Sequence, residues 1–388
     1  MTDTSASLSA SFVINNCRAV LPDSVLEDAS VRVEDGRIAE IVQGRSLGDG
    51  LDGRDGWLLP GLIDIHSDAI EKAVEPRPGA RFPTEIAVRE LDRQLTACGI
   101  TTMFHSLSFA DMEFGLRSNN VAAGLIEEIA DLAPTLRART RIHARFEVTD
   151  HGAIPHLERL LRAGRIQLLS FMDHSPGQGQ YRDEAAFRNY YGKVYKMSDE
   201  QLTHVLDRKE AAHRNGLSEA VSAMASLCRE LGVPMASHDD DTEAKIDWCL
   251  SEGVAMSEFP IDLATARTAR QKGLPTCLGA PNLVRGGSQA GNLSVRTALE
   301  DGCGDIFCSD YLPLSILHAI FMAADTGLRS LPEAVAMASL NPARALGMPD
   351  TGSIEVGKFS DLLWVKHRHG HPDLLRTWVG GREVYASA

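Results

Sequence analysis

Histidine and carboxylate side chains follow several short apolar runs in this sequence, and the first such pair is His66 and Asp68. The pair comes directly after the apolar run of residues 58–65. Residues i and i+2 of a strand point to the same side, so this imidazole and carboxylate can bind one ion. Histidine and carboxylate together suit zinc or a similar divalent metal. An H-x-D pair by itself is a weak signal, because most such pairs are simply polar strand ends.

Four further apolar runs end in a side chain of the same kind, namely Glu147, His174, His238 and Asp310. In a (β/α)8 barrel the carboxyl ends of all strands meet at one face, and that face carries the catalytic residues. A single strand-end histidine is usually a hydrogen-bonded structural residue, whereas six ligand-type side chains at one face predict a metal centre. We interpret His105, which ends another run, as a hydrogen-bonded histidine rather than a substrate contact.

The elements that must position these residues alternate between strand-like and helix-like patterns. We predict strands near residues 61–65, 100–105, 142–147, 166–171, 233–238, 254–258, 275–279 and 305–310. Helices are predicted at residues 84–98, 117–137, 155–163, 199–231, 241–252, 262–272, 294–301 and 314–326. Eight strands with helices between them predict an α/β protein with a TIM (β/α)8 barrel.

Both chain ends carry β-like patterns instead. Residues Asp35-Gly36 lie between two alternating runs and are typical of a two-residue hairpin turn. The other strand-like pieces are residues 12–14, 29–33, 37–42, 361–365, 377–379 and 382–385. We therefore predict a small β-sandwich made of residues 1–57 and 350–388, beside a barrel made of residues 58–349. Two independent β appendages are the alternative.

The composition limits the class of protein and the class of partner. The chain has 388 residues, of which 44% are hydrophobic and 24% charged, as in ordinary globular proteins. Apolar runs fall short of the roughly 20 residues of a membrane helix, and residues 1–12 lack the pattern of a signal peptide. Seven scattered cysteines predict free thiols in a reducing cytoplasm. The net charge of −14 argues against nucleic acid or an anionic membrane as partner. A homo-oligomer is left open.

The opening of the predicted barrel resembles the amidohydrolase superfamily. Pro60-Gly61 is followed by an apolar pair and then by Asp64-x-His66-x-Asp68, and members of that superfamily are TIM barrels whose first strand presents two metal ligands. The resemblance implies two divalent ions, expected to be Zn²⁺ with Mn²⁺ or Fe²⁺ as alternatives, and a general base at Asp310. The implied ligands are His66, Asp68 and Asp310 for one ion, His174 and His238 for the other, and Glu147 as a bridge. The two later histidines follow strands five and six in that superfamily, but strands four and five in our count.

Three longer segments resemble one family within this superfamily. They are residues 66–78, 169–193 and 279–292, and the last reads GAPNLVRGGSQAGN. They are similar to the diphosphatases of the carbon–phosphorus lyase pathway. The resemblance implies hydrolysis of alpha-D-ribose 1-methylphosphonate 5-triphosphate to the 5-phosphate and pyrophosphate.

A substrate with several phosphates requires cations, and the same segments supply them in an acidic chain. Arginine offers a planar fork to phosphate oxygens and lysine a mobile point charge, while a Gly-Gly loop can present backbone N–H groups to an anion. The candidate substrate-binding residues are Lys72, Arg77, Arg145, Lys193, Asn282, Arg285, Gly286, Gly287 and Ser288. A single cation taken alone would more often be a solvated surface charge.

Two other functions are compatible with the metal-type residues. A metal-dependent deacetylase, such as a sugar-phosphate deacetylase, or a cyclic amidase on the same barrel would share the ligands but would not need the whole set of cations. A non-catalytic scaffold protein would have no reason to keep six ligands. The cations therefore favour phosphoanhydride hydrolysis.

Overall fold

Strands and helices alternate through most of the chain in a computed structural model, which describes residues 11–54, 56–110, 115–177, 184–185, 187–188, 192, 197–214, 217–288 and 291–387. The strands are β1 (Phe12–Val20), β2 (Val25–Glu34), β3 (Arg37–Gln43), β4 (Leu51–Asp52), β5 (Trp57–Pro60), β6 (Leu62–Ser67), β7 (Ile100–Phe109), β8 (Arg139–Glu147), β9 (Leu168–Met172), β10 (Met235–His238), β11 (Met256–Glu258), β12 (Thr276–Gly279), β13 (Ile306–Cys308), β14 (Leu362–Arg368), β15 (His371–Val379) and β16 (Arg382–Ala386).

The helices are α1 (Ala69–Val74), α2 (Thr84–Ala97), α3 (Asn119–Leu132), α4 (Ile154–Arg162), α5 (Asp199–Arg214), α6 (Leu217–Leu231), α7 (Glu243–Glu252), α8 (Leu263–Gln271), α9 (Ala280–Arg285), α10 (Val295–Glu300), α11 (Ser315–Asp325), α12 (Leu331–Ala336) and α13 (Leu340–Ala345). Within the described part of the chain, no helix is both long and apolar enough to span a membrane. The helix predicted over residues 199–231 corresponds to α5 and α6 in the described part of that range.

Eight parallel strands, β6 to β13, pair in sequence order and form the barrel. An isolated parallel bridge between Ser67 and Asp310 joins the end of the barrel to its first strand. Ile63, Phe104 and Met256 are among the side chains that fill the interior, and a larger apolar cluster lies between the strands and the helices. The predicted TIM barrel is confirmed.

The strands of the two chain ends form one separate sheet. Its order is β16-β15-β14-β5-β1-β2-β3, with β4 paired to β1, so a C-terminal strand lies beside an N-terminal one. The hairpin between β2 and β3 turns at Asp35 and Gly36, whose φ angles are 49° and 75°. Both angles are positive, as a type I′ turn requires, which explains the Asp-Gly pair. The expectation that both ends meet in one small β unit is confirmed.

Local sequence signals fix the helices that follow the strands near the barrel mouth. Helix α7 begins after Thr242, whose side chain accepts a hydrogen bond from the backbone N–H of Lys245, and ends at Gly253 with φ 74°. Helix α8 begins after Asp262, which caps the N–H of Thr265 in the same way. These caps satisfy backbone N–H groups that the helix itself leaves unpaired. The first turn of the helix is therefore fixed after both β10 and β11.

Candidate active site

The carboxyl ends of the barrel strands gather buried histidines around one glutamate, Glu258. His66 Nδ1 lies 3.1 Å from Glu258 Oε1, and His238 Nδ1 lies 3.4 Å from Glu258 Oε2. His143 Nε2 is 3.9 Å from the same Oε2. Burial raises the pKa of Glu258 to about 7. The ligand atoms of His66, His143 and Glu258 all lie within 4.8 Å of one another, which is compatible with a cation.

A second group consists of His174, His238 and Asp239. Asp239 Oδ2 is 3.6 Å from His238 Nε2 and 4.0 Å from His174 Nε2. This oxygen is buried and makes no hydrogen bond to any described residue. Two ligands of one tetrahedral zinc ion lie roughly 3.4 Å apart, given bonds of about 2.1 Å. The donor types and spacing of this group therefore fit a divalent metal ion.

The protonation state of His238 agrees with a ligand role. Burial and the nearby Arg145 guanidinium hold the pKa of His238 well below 6.5. The imidazole is therefore neutral at pH 7, which is the form that binds a metal. In this structure Arg145 Nη2 donates to His238 Nε2 at 3.1 Å, so an ion at that nitrogen would replace the arginine contact.

Asp68 lies at the same mouth but is paired with arginine. Arg145 Nη1 donates to both carboxylate oxygens of Asp68, at 3.0 and 3.2 Å, and Arg117 Nη2 is 3.6 Å away. Arg145 is 5% exposed, so it is not a solvated surface charge. The structure thus brings Arg145 into the site beside Asp68 and His238, and a metal at Asp68 stays a prediction.

Glu147 is held by a lysine that was not predicted as a site residue from the sequence. Lys209 on α5 is only 3% exposed, and its Nζ lies 2.7 Å from Glu147 Oε1 and 3.2 Å from Thr149 Oγ1. His174 Nδ1 lies 3.3 Å from the other carboxylate oxygen. Glu147 therefore faces His174 with one oxygen and α5 with the other, and its role as a bridge between two ions stays a prediction.

Replacing Lys209 with methionine should lower the free energy of unfolding by about 2 kcal/mol, because the buried Glu147 carboxylate loses its cation. Hydrogen exchange should rise over α5 at the same time. The double variant Lys209→Met with Glu147→Gln should recover stability, since a neutral amide needs no cation. Thermal unfolding of the three proteins checks this, and a double variant no more stable than the single one would contradict the pairing.

Asp310 leaves β13 in a left-handed conformation, with φ 58°. Its backbone N–H donates to the carbonyl of His66 at 2.9 Å, and its own carbonyl accepts from the N–H of Asp68 at 2.6 Å. Burial, with the Asp68 carboxylate adding to it, raises the pKa of Asp310 to about 7. The residue is thus fixed beside the first-strand pair and has a basicity suited to proton transfer near neutral pH.

Two other strand exits have the same backbone conformation. Asp239 follows β10 with φ 52°, and Phe259 follows β11 with φ 54°. Left-handed backbone is uncommon for residues other than glycine, and most unusual for a bulky one. Such strain concentrates at functional sites. The Phe259 ring packs edge-on against His66 and His238, with ring centroids 5.0 and 5.2 Å apart. Phe259 therefore covers one side of these two histidines.

Two of the predicted substrate cations meet at the rim. Lys72 Nζ lies 5.0 Å from the centre of the Tyr311 ring, and Arg285 Nη1 donates to the Tyr311 hydroxyl at 3.3 Å. Arg77 is exposed on the turn after α1. Lys193 lies outside the described residues. Lys72 and Arg285 are both exposed, so their charges are open to a ligand.

The predicted anion loop differs from expectation in its backbone donors. The N–H groups of Gly286 and Gly287 donate to Leu283 and Asn282 carbonyls at the end of α9, so they are not free to surround an anion. Asn282 is likewise occupied, because its side chain donates to the Leu293 carbonyl and accepts from the Val295 N–H, both at 3.0 Å.

Ser288 hydroxyl accepts from the N–H of Asn292 at 3.2 Å, which closes the loop. In the described part of this loop, the Arg285 guanidinium therefore remains as the charged donor.

His105 lies on the outer face of the barrel, but the predicted hydrogen bond is missing at its buried Nδ1, which has no partner among the described residues. It alternates along β7 with Phe104, which points into the barrel interior, and with Ser106, which bonds His143 at 3.3 Å. His105 therefore shares the outer face of the barrel with Met103 and Leu107, which pack under the helices. This position separates it from the mouth.

Comparison with known proteins agrees with this geometry. A family model described as the amidohydrolase family matches residues 191–384, half of the chain. The alpha-D-ribose 1-methylphosphonate 5-triphosphate diphosphatase of Escherichia coli K12 is 35% identical over 379 residues, which cover 96% of this chain and all of that protein.

Solved structures share the fold at lower identity. Molinate hydrolase has a TM-score of 0.63 and 14% identity, covering 96% of this chain and 94% of its own. N-acetylglucosamine-6-phosphate deacetylase from Pasteurella multocida has a TM-score of 0.65 and 13% identity, covering 97% of this chain and all of its own. The barrel, the buried histidine and carboxylate groups and the sequence matches lead to one conclusion: this chain is a hydrolase that belongs to the amidohydrolase family.

Proposed function

We propose that this protein hydrolyses alpha-D-ribose 1-methylphosphonate 5-triphosphate to the 5-phosphate and pyrophosphate, in phosphonate breakdown. The observation that carries the proposal is the joint presence at the barrel mouth of metal-type groups and cations. Arg145 lies among the buried histidines, while Lys72 and Arg285 lie at the rim. A cyclic amidase would need the first set only, and a sugar-phosphate deacetylase would have one phosphate to bind rather than three. The full-length likeness to the Escherichia coli diphosphatase supports the same substrate.

The cofactor that we propose is a pair of divalent ions, preferably Zn²⁺. The residues that would hold them are His66, His143 and Glu258 in one group and His174, His238 and Asp239 in the other. These groups share three histidines with the ligands predicted from the sequence, but they contain His143, Asp239 and Glu258 in place of Asp68, Glu147 and Asp310. A bound divalent ion supplies a Lewis acid that lowers the pKa of water.

The chain's own residues have separate tasks in this reaction. Asp310 accepts a proton from the attacking water, because it is fixed at the mouth and its pKa is raised to about 7. The water oxygen bonds to the phosphorus nearest the ribose, and the bond from that phosphorus to the pyrophosphate oxygen breaks. Lys72 and Arg285 hold the departing phosphates, whose negative charge grows as the bond breaks. Arg145, which contacts both Asp68 and His238, orients the substrate.

Phosphorus NMR of the reaction products tests the proposal directly. The purified protein, supplied with Zn²⁺ or Mn²⁺, should convert the ribose triphosphate phosphonate to one sugar 5-phosphate and one pyrophosphate. Reaction in ¹⁸O-labelled water should place the label in the sugar phosphate, since the attack is on the phosphorus nearest the ribose. Label in the pyrophosphate would refute that site of attack. Inertness toward the triphosphate, with hydrolysis of an N-acetylated sugar phosphate, would favour the deacetylase.

Replacing Arg285 with alanine should raise KM for the triphosphate substrate by about 10- to 150-fold, since a charged hydrogen bond contributes about 1.5–3 kcal/mol. Hydrolysis of a small uncharged ester should change little, because that substrate has no phosphate to bind. Arg368→Ala, which removes an exposed arginine from β14, is the matched control. Equal KM values for the triphosphate in both variants would show that Arg285 is only a solvated surface charge.

A further inference from the structure

Tyr311 contacts both rim cations although it was not among the predicted site residues. The ammonium group of Lys72 lies over its ring face, and the guanidinium of Arg285 donates to its hydroxyl. The three residues come from three different strand exits, since Lys72 lies on α1 after β6, Arg285 ends α9 after β12, and Tyr311 follows β13. One aromatic side chain thus joins cations from opposite ends of the barrel sequence.

The backbone beneath Tyr311 is held on both sides. The preceding residue, Asp310, exchanges two backbone hydrogen bonds with the first barrel strand and the residue after it. One position earlier, the N–H of Ser309 donates to Asp64 at 3.0 Å, and its hydroxyl lies 2.8 Å from that of Ser67. Leu312 N–H closes a turn onto the Ser309 carbonyl at 2.9 Å. Tyr311 therefore begins from a rigid segment.

Lys72 and Arg285 need such an anchor, because both are long side chains exposed to solvent. Each loses rotamer entropy when it is fixed in one conformation. A ligand must supply this entropy cost at the moment of binding unless the protein has already restricted the side chain. The aromatic face restricts the ammonium through a cation–π contact, and the hydroxyl restricts the guanidinium through a hydrogen bond.

We propose that Tyr311 is a positioning residue that preorganises Lys72 and Arg285 for an oligophosphate chain. Its ring face holds Lys72 and its hydroxyl holds Arg285, so the two functions are separable by mutation. This role of Tyr311 rests on the proposed function, from which we take the substrate class, a chain of phosphates. Tyr311 acts through the two cations, so it is not counted as a catalytic residue.

Two substitutions separate the two contacts. Tyr311→Phe keeps the ring for Lys72 and loses the hydroxyl for Arg285, whereas Tyr311→Leu loses both. The probe is inorganic tripolyphosphate, titrated calorimetrically into protein of equal metal content. Tyr311→Phe should weaken its binding about three- to tenfold, as expected for loss of one exposed hydrogen bond that positions Arg285, and Tyr311→Leu should weaken it further. Tyr385→Phe in β16 is the matched control for loss of a tyrosine hydroxyl and should bind as the unaltered protein does.

Double variants give the decisive result. Arg285→Ala should cost less affinity in the Tyr311→Phe protein than in the unaltered one, by at least about threefold, because the two groups act as a unit. Lys72→Ala should cost its full amount in Tyr311→Phe, which keeps the ring, and a reduced amount in Tyr311→Leu. A purely structural role for Tyr311 would lower Tm or metal content and would not distinguish the two cations in this way.

These binding measurements test the role of Tyr311 separately from the hydrolysis of the proposed substrate. Additive effects within about twofold in all the double variants, or unchanged tripolyphosphate binding in Tyr311→Leu, would overturn the inference even if the triphosphate sugar is hydrolysed. The predicted pattern of coupling would support it even if the unaltered protein hydrolyses a different phosphorylated substrate. Absence of tripolyphosphate binding by the unaltered protein would refute it.

Discussion

Replacing Asp310 with asparagine is expected to lower kcat by about 10²- to 10⁴-fold, the range for removal of a general base. The substitution suits this position, because Asp310 has φ 58° and asparagine is among the few residues that adopt left-handed backbone readily. Size and backbone geometry are therefore kept, while basicity is lost. Affinity for a non-hydrolysable triphosphate analogue should change little, because the cations that we propose to hold it are Lys72, Arg145 and Arg285.

Metal content distinguishes two roles of Asp310 in the same preparation. If Asp310 is mainly a base, kcat falls while metal stoichiometry stays constant. If it is mainly a ligand, metal content and activity fall together. Asp28→Asn is the matched control, since Asp28 is an exposed aspartate with φ 52° in the terminal sheet. Full activity with full metal content in the Asp310→Asn protein would exclude both roles.

The barrel was predictable because its strands can be recognised from local sequence patterns alone. Buried parallel strands are continuous apolar runs, and the side chains after them belong to one face by the geometry of the fold. The structure places His174 after β9 and His238 at the end of β10. These are the fourth and fifth strands of the barrel, so the count made from the sequence was right for this chain.

Glu258 and His143 could have been found from the sequence by the same reasoning. Glu258 is the last residue of a predicted strand, so the strand-end rule applied to it as it did to His238. His143 precedes Arg145 and Glu147 at alternate positions of β8, and period-2 alternation puts all three on the inner face. A histidine in the middle of a strand is weaker evidence for a ligand than a carboxylate at the strand end, because the strand ends form the active face of the barrel.

Lys209 could not have been found, and neither could the partner of Asp68. Lys209 lies in α5, whose composition is strongly polar, and a lysine in such a helix is expected to face solvent. Its burial depends on how α5 packs beside Glu147 and Thr149. The Asp68–Arg145 pair likewise joins residues 77 positions apart. Contacts of this kind are set by tertiary structure, and local patterns contain no information about them.

Replacing His238 with alanine is expected to abolish metal binding at the group formed by His174, His238 and Asp239. His238 supplies the nitrogen nearest to Asp239 Oδ2, at 3.6 Å, and two remaining donors hold a divalent ion far more weakly than three. The fold should persist, because the side chain lies at a strand end among polar groups rather than within the apolar layers of the barrel.

Mass spectrometric metal analysis and thermal unfolding, carried out on the same samples, check this expectation. His174→Ala should lose the same ion, while His369→Ala, which removes an exposed histidine from the hairpin between β14 and β15, should lose none. Full occupancy in both His174→Ala and His238→Ala would show that the group does not hold a metal. The cation bound by His238 would then be the Arg145 guanidinium, which donates to His238 Nε2 at 3.1 Å.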